Sequence, residues 1–194
     1  MHHSSRARTF GELASRYFTI VIAYLSSDTC TSVHLVFDQY WPTSIKSRER
    51  TRRGSSDAFK VRTTGPNTPV PKQWVKYIQN PQNKINLCDF LSSSLCKIGQ
   101  ERLMQGKRLI IAGGFTDGER VVEITRARPT EDIDALKSNH EEADTRMILH
   151  AAYAVRDSPY VCDCDQIPRY RCTCPVRVPF HRHWMQRAMV LHRC

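Results

Sequence analysis

The chain has no run of about 18 consecutive apolar residues, the length a membrane-spanning helix needs, so no span is expected. Its longest apolar stretch, Tyr17 to Leu25, is short and is interrupted by Thr19. The opening Met1-His2-His3-Ser4-Ser5-Arg6 lacks the hydrophobic region and small-residue cleavage site of a secretory signal. Secretion is therefore not expected; an intracellular protein, nuclear or cytoplasmic, is. No internal repeat is present. A composition 40% hydrophobic and 25% charged excludes a disordered chain, and 194 residues suffice for one domain with a core plus a tail.

What is present in surplus is positive charge. A net charge of +10 favours an anionic partner, of which nucleic acid, DNA or RNA, is the commonest. Basic segments can equally be solvated faces, so charge alone does not decide. The eight cysteines are unevenly spread. Cys30, Cys88 and Cys96 are scattered, whereas Cys162, Cys164, Cys172, Cys174 and Cys194 crowd into the last 33 residues. That distribution suits a reduced protein with an unusual tail better than a disulfide framework.

Apolar periodicity organises the rest. Residues 1–8 are expected to be a disordered start. From Thr9, a plausible N-cap, the positions Phe10, Leu13, Tyr17, Ile20, Val21, Tyr24 and Leu25 follow a helical period. Val33 to Phe37 reads as a buried strand ending at Asp38. The region Gly54 to Pro71 reads as a loop. Trp74, Tyr77 and Ile78 suggest a short helix, and Ile85 to Leu103 a longer one. Leu109 to Ala112 is a second strand, closed by Gly113-Gly114. A turn at Thr116-Asp117-Gly118 then leads into Val121 to Ile124 as a hairpin. Asn139 is expected to start a last helix running to about Val155, with Asn139 and Glu142 at capping-box spacing. This order predicts a three-layer α/β domain over residues 9–156 with a mainly parallel sheet.

Two acidic sites carry the chemistry. Asp38 stands where a buried strand ends, the place at which α/β folds set ligands and catalytic groups; it can equally be a turn or cap residue. Glu141-Glu142-Ala143-Asp144 sets three carboxylates at a helix start. The helix macrodipole accounts for one or two of them more comfortably than for three. Two-metal phosphodiester hydrolysis draws on such convergent carboxylates, which hold the ions about 3.5–4 Å apart.

Val36-Phe37-Asp38, followed by Ser44-Ile45-Lys46 and Arg48-Glu49-Arg50-Thr51-Arg52-Arg53, resembles the core of the PIN-like, flap-endonuclease-type nucleases. Glu142-Ala143-Asp144 is similar to that family's acidic step at a helix start. Residues 10–154 also resemble a PIN-like domain of transposon-associated animal proteins. The resemblance implies Asp38, Glu142 and Asp144 as ligands of Mg²⁺ or Mn²⁺, with Glu141 as a substitute. It implies Lys46, Arg48, Arg52 and Arg53 as phosphate contacts, each adding salt-dependent affinity. Two family features are missing: an earlier strand with a further aspartate, and an Asp-x-Asp followed by an apolar strand. An incomplete, catalytically inactive nuclease-like domain is therefore expected. The alternatives are a non-catalytic basic nucleic-acid-binding module and a non-functional translation product.

Residues 157–194 form a Cys/Arg/His-rich tail with no period. Arg169 to Pro175 can be encoded as CGA TAC CGA TGT ACT TGT CCT G. Dropping one base yields Asp-Thr-Asp-Val-Leu-Val-Leu, the missing motif with its strand. The same shift turns Val161 to Pro168 into an apolar strand leading into it. A change of frame between about Arg156 and Val161 is therefore expected, and the nucleotide sequence across these codons tests it directly. A zinc site from Cys162, Cys164, Cys172 and Cys174 with His181, His183 or His192 is disfavoured, because Cys-x-Cys is tighter than the usual ligand pair.

Overall fold

The computed structural model describes residues 7–28, 30–39, 61, 65–156, 160–163 and 188–192. Helix α1 (Phe10–Leu25) starts where the hydroxyl of Thr9 accepts the backbone N–H of Glu12 at 3.2 Å. Its inward positions Phe10, Leu13, Ala14, Phe18, Val21, Tyr24 and Leu25 recur every three to four residues, giving a continuous apolar face. Strand β1 (Cys30–Val36) follows. Then come α2 (Trp74–Gln79) and α3 (Pro81–Arg102). The second of these is capped by the Asn80 side chain and opened by Pro81, both favoured at a helix start. Strands β2 (Arg108–Ala112), β3 (Val121–Ile124) and β4 (Glu131–Asp132) lead through a 3₁₀ turn to α4 (Ala143–Ala154). Two strands come from the tail, β5 (Tyr160–Asp163) and β6 (Ala188–His192).

The strands form one sheet in the order β4-β3-β2-β1-β6-β5. Alternation along β2 divides the core. Leu109 and Ile111 face α1 and α3 together with Val33, Val122 and Ile124. Ile110 and Ala112 face α4 with Val36, Val121 and Met147. Helices therefore cover both faces, and the α/β class stands. A further cluster joins α1, α2 and α3 through Phe10, Leu13, Trp74, Tyr77, Leu87 and Leu91. Ala7 and Arg8, assigned above to the start preceding the domain, belong to this structure: Ala7 is buried in that cluster, and the Arg8 carbonyl accepts the Val70 N–H at 2.9 Å.

The expectation of a mainly parallel sheet is corrected. Among the described strands, only β1 and β2 pair in parallel. The loop 113–120 returns the chain directly beside β2, so β3 must run antiparallel. On the other side of β1 the tail strand β6 also enters antiparallel. No helix among the described residues is long and apolar enough to cross a membrane.

Candidate functional site

Because β1 and β2 are parallel neighbours in register Val36↔Ala112, their carboxyl ends lie side by side. The chain leaves this edge held at every residue. Phe37 donates its N–H to the Ala112 carbonyl at 2.8 Å, and its own carbonyl accepts Arg146 Nη1 at 2.8 Å. Asp38 Oδ1 accepts the Ala143 N–H at 3.0 Å. Gln39 donates its backbone N–H to the Glu141 carbonyl at 2.8 Å. Its side-chain amide donates to the carbonyls of Gly118 and Ser138. The end of β1 is thus fastened to the start of α4, about a hundred residues further along the chain.

This geometry corrects the helix start read from the sequence. α4 begins at Ala143 with Glu142 as N-cap, and Glu142 makes no side-chain cap. Neither Asn139 nor Glu142 forms the capping box. Asp38 takes over that role from across the fold, receiving the first N–H of α4. An aspartate there answers both the free donor and the positive helix end. Asp38→Ala is therefore expected to lower stability by about 1–2 kcal/mol, the usual worth of a cap, measured as a reduced urea midpoint. Asp38→Asn keeps the acceptor oxygen and should retain most of that contribution.

Of the sequence-predicted ligands, the fold brings Asp38 to the helix start that carries Glu142 and Asp144. Glu142 and Asp144 are exposed, whereas Asp38 and Glu141 are partly buried. Yet among the described residues no group of three or more His, Cys, Asp or Glu side chains is arranged to hold a metal ion. Asp38 Oδ1 is engaged as a cap, so this donor set does not fit a pair of divalent ions. Lys46, Arg48, Arg52 and Arg53 lie outside the described residues, as do Cys164, Cys172, Cys174, His181 and His183. Cys30, Cys88 and Cys96 are thiols and not halves of disulfides.

Three residues that the sequence reading did not single out dominate the interior here. Arg146 is among the largest fully buried side chains of the described residues, 0% exposed. Nη1 bonds the Phe37 carbonyl, while Nε and Nη2 have no protein acceptor. Burial pushes its pKa down, and the carboxylates of Asp38 and Glu119 push it back up. Beneath it, on the same face of α4, His150 meets His34 of β1, with Nδ1 to Nδ1 at 2.8 Å and the rings edge-to-face. Both rings are buried. Burial lowers His34 well below its ordinary value, helped by His150 and Arg108. Burial and the nearby Arg146 take His150 down to about 3. The available signal was spacing: Arg146 and His150 stand four apart, in the helical register of the buried Ala143, Met147 and Ala154.

No family model, curated protein or solved structure matches the chain. The functional reading therefore rests on the residues themselves.

Proposed function

We propose that the chain is a PIN-like, flap-endonuclease-type domain that engages nucleic acid without cleaving it. The observation that supports this reading is the Asp38–Ala143 contact at 3.0 Å. It joins a strand-end aspartate to an acidic helix start, the juxtaposition the resemblance implies, and at the same time commits one aspartate oxygen to the helix. Two-metal hydrolysis needs several carboxylates free to converge on the ions. Asp38, Glu142 and Asp144, with Glu141 in reserve, are here a remnant of such a set, and Mg²⁺ or Mn²⁺ has no complete cage among the described residues. The charge of +10 supplies the attraction to DNA or RNA.

The test has two arms. Flapped and single-stranded DNA and RNA are incubated with the chain in Mg²⁺ or Mn²⁺, and binding is followed across a salt series. Binding that weakens steeply with salt, without cleavage, is the expected result. Cleavage abolished by Asp144→Ala would overturn the non-catalytic reading. Absence of binding at low salt would remove the nucleic-acid reading altogether.

A further inference from the structure

The two ends of the sheet differ in charge. The carboxyl ends of β1 and β2 meet the start of α4, with Asp38, Glu141, Glu142 and Asp144. The β3–β4 hairpin points the other way. Ile124, the last residue of β3, pairs with Leu109 near the start of β2, so the turn 125–130 projects past the amino end of that strand. It reads Thr125-Arg126-Ala127-Arg128-Pro129-Thr130, two arginines and no acid. Arg126, Ala127, Arg128 and Pro129 are all exposed. Among the described residues Ala127 is the only non-glycine residue in the left-handed region, at φ 57°. A side chain strains the backbone there, and the turn is held in this state by the Ala127 N–H, which donates to the Gln100 carbonyl at 2.9 Å. Gln100 lies in the last turn of α3, whose final carbonyls need donors, so helix end and turn fix each other. The two arginines flanking Ala127 thus stand on an anchored turn. Behind it, Glu123 and Asp132 are taken by Arg108 at 4.0 Å and Arg120 at 3.0 Å, and Glu131 stands opposite Glu123 in the ladder. Among the described residues no carboxylate forms an ion pair with Arg126 or Arg128.

We infer that this turn is a face by which the domain meets nucleic acid, with Arg126 and Arg128 each taking a backbone phosphate. The inference rests on the proposed reading of the chain as a nucleic-acid-binding domain and gives that binding a place. A guanidinium presents a planar fork of donors matched to phosphate and stays charged at every working pH. The place also suits binding without cleavage. The five residues of β2, Arg108–Ala112, set the two ends of the sheet about 13 Å apart at about 3.3 Å per residue. The screening length in physiological salt is about 8 Å, so the carboxylates at the far edge do little to repel a strand held at the turn. Nor do they reach its phosphates. A membrane surface suits the turn less well, because the turn carries no large apolar side chain to insert.

The experiment follows binding of a fluorescein-labelled single-stranded DNA, and of the corresponding RNA, by fluorescence anisotropy across a salt series. The full chain is compared with Arg126→Ser/Arg128→Ser, Arg126→Lys/Arg128→Lys and Lys72→Ser/Lys76→Ser. The last variant removes the same charge from exposed positions around α2, which is bonded to the start of α3 whereas the turn is bonded to its end. Loss of both arginines is expected to weaken binding about tenfold at low salt. It should also flatten the slope of log K against log salt by about 1.4, at about 0.7 per phosphate on a single strand. The double lysine variant keeps the charge and should keep the slope, and Lys72→Ser/Lys76→Ser should leave both quantities unchanged. If the double serine variant at the turn unfolds early, Arg126→Gln/Arg128→Gln takes its place. Equal losses from the two serine variants would show that net charge alone attracts the strand and would overturn the inference, as would an unchanged slope without the arginines. Binding to phosphatidylserine vesicles that is lost with the arginines, while DNA and RNA binding persists, would overturn it in favour of a membrane surface. If the full chain binds neither DNA nor RNA at low salt, the proposed function falls and the role of the turn with it. If the full chain binds and the arginines make no difference, only the role of the turn falls.

Discussion

Gly113→Ala is expected to destabilise the domain by about 3–5 kcal/mol, whereas Gly106→Ala should cost only about 1–2 kcal/mol. Both glycines hold φ in the left-handed region, at 74° and 77° respectively, and a side chain at either position carries that backbone cost. Their surroundings separate them. A Cβ on Gly106 would meet nothing within 4 Å. A Cβ on Gly113 would lie 2.6 Å from Arg146 Nη1 and 3.2 Å from the Phe37 carbonyl oxygen. It would therefore wedge apart the hydrogen bond by which the buried guanidinium is held, leaving all three of its nitrogens unpaired. Urea unfolding of the two variants measures the difference. Equal losses would mean that the contact at Gly113 relaxes freely, and the close packing described around Arg146 would be wrong.

The contrast between these glycines also marks what a sequence displays. Gly113-Gly114 was readable as the end of a strand, since the apolar run Leu109 to Ala112 stops there and a turn signal follows. That Arg146 would press against Gly113 was not readable, because 33 residues separate them and the contact exists only once α4 lies on β1. The same division runs through the fold. Thr9 caps α1 as its neighbours suggest, because the bond spans three residues. The cap of α4 comes instead from Asp38, so the local Asn139 and Glu142 pointed to the wrong start. The positions of β1, β2 and β3 were legible from apolar runs, whereas β4 is a pair of acidic residues and β5 and β6 lie in the stretch read as an irregular tail. Strand direction was not legible, because the tail strand β6 lies antiparallel beside β1, and nothing in the Val33–Phe37 pattern specifies that neighbour. In the candidate site, Asp38 and the acidic step were legible as carboxylates at element ends. The guanidinium and imidazoles packed behind them were not, since a charged residue on an apolar period reads as an interruption until its partners are known.

Those imidazoles carry the strongest pH dependence expected of the molecule. His34 and His150 face each other through their Nδ1 atoms at 2.8 Å, so one must donate and the other accept. Burial favours the neutral pair in the folded state, and protons on both Nδ1 atoms would set two N–H groups against each other. Burial, the partner ring, and the guanidiniums of Arg108 and Arg146 all favour the neutral forms. In the unfolded chain both rings titrate near the ordinary value of about 6.5. Folded values below unfolded ones mean that the pair's contribution is intact above about pH 6.5 and is lost as pH falls. For His150 the loss continues until about pH 3. His150 loses about 1.4 kcal/mol per pH unit once its unfolded ring is mostly protonated, so it alone removes about 2 kcal/mol between pH 6.5 and 4.5, and His34 adds to the loss in the same direction. That is a sizeable share of the stability of an ordinary domain. Because the pair fastens α4 to β1, acid should release the helix that carries Glu142, Asp144 and Arg146. Urea unfolding free energies measured from pH 7.5 to 4.5 should fall more steeply for the unaltered chain than for His34→Gln/His150→Gln. The difference in slope should be at least about one proton in the acid half of this range. Parallel slopes would mean that the two rings are not held neutral together, and that the β1–α4 seam is not the acid-sensitive joint of the fold.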